Sequence, residues 1–149
     1  SVPMEAKVSA HYVNSILATT EATKNGYDEA ILLDMNDHVA EAPGANVFIE
    51  KNGKLYTPSL GHILPGITRN TVMQLCKTLD IECIEKVITV EDLTRADGAF
   101  FCGTAVEIAG IKSINGIDFP LKWQDSVGAT IQRTYKALVL EKQNYEVII

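Results

Sequence analysis

The dipeptide Asn52-Gly53 stands between two apolar runs, Asn46 to Glu50 and Lys54 to Thr57. Asn-Gly accepts the positive φ of a tight turn, so the two runs are predicted to pair back on each other as a hairpin. The next connection is of another kind. After a loop from 58 to 66, Thr68 to Leu79 carries Val72, Leu75, Cys76 and Leu79 on one helical face. Glu82 to Val87 then reads as a further strand. A chain that joins some strands by tight turns and others through helices calls for a mixed sheet with helices packed on it. The predicted fold class is therefore α/β (α+β) rather than a clean doubly wound fold.

The rest of the pattern agrees. A helix is predicted from 11 to 25, with Tyr12, Ile16 and Leu17 on one face and Asn25-Gly26 as its exit. Glu29 to Asp34 and His38 to Glu41 read as short strands around an Asn36-Asp37 turn. Thr89 to Asp92 resembles a capping box that opens a short helix to Ala96. Ala99 to Cys102 is a buried strand, and Val106 to Ile114 is extended up to a second Asn-Gly turn at 115 and 116. A last helix runs from 126 to 141, with Val127, Ile131, Tyr135 and Leu138 inward. The 149 residues fit one domain.

Charge narrows the partners. The net charge of −6 disfavours nucleic acid and acidic membrane, since both need a basic surface. No apolar run approaches membrane-spanning length, and Ser1 to Glu5 lacks the basic and apolar regions of a signal peptide. The three cysteines, Cys76, Cys83 and Cys102, show no C-x-x-C spacing and read as core residues of a reduced, cytoplasmic protein. His11, His38 and His62 have no zinc spacing, so no metal is expected.

Several residues could carry chemistry. Ile67 and Thr68 open a predicted helix, where backbone N–H groups and the dipole suit an anion; Thr68 would equally serve as a plain N-cap. Gly103-Thr104-Ala105 follow a buried strand, and small residues let an anion approach the backbone; a simple strand-end turn has the same composition. Pro43-Gly44 favours a tight turn that can aim Glu41 inward, although a glutamate there could also face water. Lys7 by itself reads as a solvated lysine, and Tyr12 as a core residue on a helix face. Arg69 reads as a surface or interface residue.

Taken as a set, Lys7, Glu41, Leu64-Pro65-Gly66-Ile67-Thr68-Arg69 and Gly103-Thr104-Ala105-Val106-Glu107-Ile108 resemble the class IV (fold type IV) pyridoxal-phosphate enzymes. Among these the chain looks most like branched-chain amino-acid aminotransferases, from Lys7 to about Lys142. The resemblance implies the large domain of that fold, a mixed sheet or pseudo-barrel with flanking helices. It implies one cofactor-binding domain over 1–149, without the small N-terminal domain of the family. It also implies pyridoxal 5′-phosphate as cofactor, held covalently by Lys7. Tyr12 would hydrogen-bond the phenolic oxygen, and Glu41 would pair with the ring nitrogen, supported by Asn46. Ile67, Thr68, Gly103 and Thr104 would take the phosphate, and Thr104 with Ala105 the substrate carboxylate. The implied partners are an amino acid, a 2-oxo acid such as 2-oxoglutarate, and a second copy of the chain in a homodimer.

Two departures stand out. Ser9-Ala10-His11 replaces the Gly-Gly-Asn common before the tyrosine, and Ala42-Pro43-Gly44-Ala45-Asn46 replaces the Gly-Ser/Ala-Gly-Glu-Asn favoured after the glutamate. Aminodeoxychorismate lyase and D-amino-acid transaminase are sibling readings with the same lysine and cofactor. A domain that keeps the fold without the reaction is the competing class.

Overall fold

The computed structural model describes residues 9–61, 63, 65–143 and 146–149; Lys7 and His62 lie outside them, as do the side chains of His11 and Tyr12. The chain opens with helix α1 (Ser9–Lys24), then the short pair β1 (Leu32–Leu33) and β2 (Val39–Glu41). Next come β3 (Asn46–Lys51), β4 (Lys54–Pro58), α2 (Ile67–Thr78), β5 (Cys83–Lys86), α3 (Val90–Thr94), β6 (Gly98–Gly103) and β7 (Glu107–Ile111). The pair β8 (Ser113–Ile114) and β9 (Ile117–Asp118), a 3-10 turn at Trp123–Asp125 and α4 (Val127–Gln143) complete it.

Five strands form the main sheet in the order β5-β4-β3-β6-β7. β4 and β5 run parallel, joined through α2, and every other neighbour in this sheet is antiparallel. The fold is thus mixed α/β. The Asn52-Gly53 turn forms with φ of 52° and 76°, and the second Asn-Gly turn repeats it at 51° and 82°. The β-stretch expected over 106–114 is interrupted at Lys112, which lies between β7 and β8. The strand expected over 29–34 shrinks to Leu32–Leu33, which pairs with β2 across a register shift.

Strand alternation divides the core between the two sheet faces. Phe48, Phe100 and Cys102 pack with Val72 and Cys76 of α2 and Ile131 of α4. Val47, Ile49 and Ala99 pack with Val39, Ile88 and Leu93 on the other side. Phe48 lies opposite Phe100 in the ladder, and the two rings stack 5.1 Å apart. Trp123 closes on Phe100 edge-on at 6.2 Å.

Helix α2 meets its expected phase: Val72 and Cys76 are buried, with Leu75 and Leu79 packed beside them. Helix α1 does not. Ile16 and Leu17 are 54% and 61% exposed, because the described residues offer that part of the helix no apolar face to cover them. Cys76 and Cys102 are buried, Cys83 is partly so, and all three are free thiols. No helix among the described residues is long and apolar enough to cross a membrane.

Candidate functional site

One end of the main sheet gathers most of the residues singled out from sequence. Glu41 closes β2 and is half-buried. The chain then turns at once: Ala42 and Ala45 exchange backbone bonds of 2.9 and 3.2 Å around Gly44, whose φ is 78°. That turn delivers Asn46, the first residue of β3, into the core at 5% exposure. Its amide nitrogen donates to Glu41 Oε2 at 3.5 Å, near the outer limit for such a bond. The glutamate side chain is thereby steered toward the sheet end instead of extending into water.

Two glycines bring the neighbouring elements against this turn. Gly66 is the N-cap of α2, and a Cβ placed there would collide with Asn46 Oδ1. Gly103 ends β6, and a Cβ there would lie 2.8 Å from Gly44 O. Only a residue without a side chain lets these segments come so close. The ladder agrees, since Asn46 lies opposite Cys102. Glu41, Asn46, the start of α2 and the end of β6 therefore form one cluster. Gly66 carried no signal in the sequence reading beyond its place after Pro65.

The start of α2 is open in a chemical sense. Gly66 offers no side-chain cap, and no acid stands in the first turn. The first N–H groups of a helix have no intrahelical acceptor, so they present positive charge outward. Thr68 stands second in the helix, so it is not the N-cap considered from sequence; its side chain is buried at 6%. Ile67 is 83% exposed beside it. Thr104 and Ala105 are exposed on the β6–β7 turn that leaves Gly103.

Arg69 corrects the sequence reading. A surface or interface residue was expected, yet its side chain is 1% exposed within this chain. Nη2 donates to Pro58 O at 3.1 Å and lies 3.3 Å from Glu85 Oε2. The helical face that buries Val72 and Cys76 also turns Arg69 inward, at three and seven residues' distance, so helical phase was the signal available. Burial pushes the Cys102 thiol up to about 12, and the Arg69 charge opposes that rise.

The family model for amino-transferase class IV matches residues 1–114. This chain belongs to that family. A branched-chain-amino-acid aminotransferase of Pseudomonas aeruginosa is 41% identical over 137 residues, covering 92% of this chain and 45% of its own length. A probable enzyme of the same name from Aquifex aeolicus is 50% identical over 117 residues, covering 77% of this chain and 38% of the relative. The PLP-form (holo-form) structure of the branched-chain amino acid aminotransferase from Thermobaculum terrenum superposes with a TM-score of 0.90 at 37% identity. It covers 95% of this chain and 47% of that one. The branched-chain aminotransferase of the thermophilic archaeon Thermoproteus uzoniensis, solved with norvaline, gives 0.89 at 44% identity, over 96% of this chain and 48% of that one. The present class IV chain spans less than half the length of these relatives.

Proposed function

We propose that this chain is the cofactor-holding part of a pyridoxal-phosphate-dependent aminotransferase that acts on branched-chain amino acids with 2-oxoglutarate. The observation that carries the reading is the convergence of Glu41 and Asn46, the uncapped start of α2, and Gly103 at one sheet end. The class IV family and the names of its relatives point to the same chemistry.

The residues fit that cofactor. A phosphate needs N–H donors and positive potential, and the α2 start, with no side-chain cap and no acid in its first turn, supplies both; Gly66 and Gly103 let Asn46 and the Gly44 turn pack directly against it. Bound pyridoxal phosphate would supply an electron sink for the bond-breaking step at the substrate α-carbon. In this reading Lys7 Nζ would hold the cofactor and, once the substrate amine has taken its place, would be free to take up the proton lost from the α-carbon. Tyr12 orients the ring through its hydroxyl. Glu41 holds a proton at the pyridine nitrogen, and Asn46 keeps that carboxylate aimed. The amides of Ile67 and Thr68, the Thr68 and Thr104 hydroxyls and the bare Gly103 backbone bind the phosphate. The Thr104 and Ala105 amides take the substrate carboxylate. Residues 1–149 form one cofactor-binding unit, completed by a second copy in a dimer. The free thiols suit a cytoplasmic setting.

Borohydride reduction in the presence of pyridoxal phosphate, followed by peptide mapping, tests the assignment. The expected adduct is on Lys7. A chain labelled only at other lysines, or not at all, overturns it. In a separate, unreduced sample, leucine should convert the bound cofactor to its amine form, whereas a lyase would release pyruvate from aminodeoxychorismate.

A further inference from the structure

Arg69 is the third residue of α2, directly after Thr68, and it is placed where two general rules disfavour it. A guanidinium removed from water wants full pairing, but the carboxylate opposite, Glu85, is 40% exposed, and Nε has no hydrogen-bond partner among the described residues. A cation in a first turn also adds to the positive helix pole instead of offsetting it. The other helix starts are treated differently. Thr89 and Asp92 close a reciprocal capping box on α3, and the Glu50 carboxylate accepts from Val127 N–H at the start of α4. At α2 alone among these three the chain adds positive charge and no acid. Both costs fall when an external anion sits at that end.

We infer that Arg69 is a positioning residue: a buried cation that raises the affinity of the α2 N-terminus for a phosphate group, acting through the helix start and Thr68. The inference rests on the cofactor reading above and deepens it. It separates the part of binding that comes from phosphate charge from the part that comes from the ring and the lysine.

The test compares pyridoxal with pyridoxal phosphate by calorimetric titration of the full chain, alongside thermal unfolding. The wild-type chain should favour the phosphorylated form. Arg69→Met should cut that preference about tenfold, the scale of one charge acting over several ångströms inside a protein, while pyridoxal itself binds within about twofold of wild type. Arg69→Lys should restore most of the preference. Glu85→Gln, at a half-exposed position, should raise it, with thermal unfolding reporting that the chain still folds. A preference unchanged in both Arg69→Met and Glu85→Gln, or equal losses for the two ligands, makes Arg69 a structural bolt only and overturns the inference. Should Arg69→Met fail to fold, Glu85→Gln decides alone: a raised preference supports the inference and an unchanged one overturns it. A wild-type chain that binds both forms equally overturns the cofactor reading itself.

Discussion

Helices α2 and α4 begin at opposite ends of β3 and are finished in opposite ways. At α4, Val127 N–H donates to Glu50 Oε1 at 2.5 Å and Ala129 N–H to Ser126 Oγ at 3.0 Å, so the chain supplies its own anion. At α2, Gly66 supplies nothing, and Arg69 adds a buried positive charge. Both ends are served by one strand. Asn46, Phe48 and Glu50 alternate with Val47 and Ile49, so they share the face toward the helices. Glu50 at one end of that row seals a helix; Asn46 at the other sits against the Gly66 N-cap. A helix start completed from within contributes stability, and one left incomplete is suited to a ligand.

The strongest challenge to this division is Glu50→Ala. It strands a partly buried Val127 donor, and stability should fall by about 1–3 kcal/mol in denaturant unfolding. Affinity for pyridoxal phosphate should stay within about twofold; a large loss would show that the two ends are not separate. Gly103→Ala comes next. A methyl 2.8 Å from Gly44 O must push the Ala42–Ala45 turn aside, costing about 1–3 kcal/mol and, unlike the Glu50 change, weakening the cofactor in the same titration. Ile67→Asp would make α2 resemble α4. An acid at this exposed first position should stabilise the helix by about 0.3–1 kcal/mol while weakening phosphate binding. Unfolding and titration curves that both stay unchanged would mean the helix end is already sealed.

The smallest effect concerns pH. Burial raises the Glu50 pKa above the ordinary 4.5, with the Val127 N–H opposing the rise and Asp97 adding to it. The folded state therefore holds this proton more tightly than the unfolded chain. Its contribution to stability is full below the unfolded pKa and is lost as pH rises through the folded one. Glu50→Gln, which cannot ionise, should gain on wild type as pH climbs through that window. A stability difference that stays flat from acid to neutral pH would rule out this source.

Local patterns made much of the fold legible. Both Asn-Gly turns formed, the capping box on α3 closed through Thr89 and Asp92, and the apolar phase of α2 pointed Val72 and Cys76 inward. Each depends on contacts within a few residues. Arg69 was misread because charge usually means surface, and only the packing of α2 on β4 and β5 overrides that. Gly66 was visible as part of the Leu64–Arg69 motif, but the reason for a glycine there lies in Asn46, twenty residues earlier. Ile16 and Leu17 obeyed helical spacing, but spacing does not provide a partner surface.

The amino-acid order alone determined the mixed sheet, its hairpins and the helix between β4 and β5, and it marked the class IV motif set. The structural elements follow from backbone preference and short-range periodicity, and the motif set from resemblance to a known family. Tertiary structure alone decided that Gly66 closes directly on Asn46 and Gly103 on the Gly44 turn, that Glu50 seals one helix, and that Arg69 lies buried beneath another. Such meetings depend on which distant segments share a face, and burial rather than residue type then sets how each charge behaves.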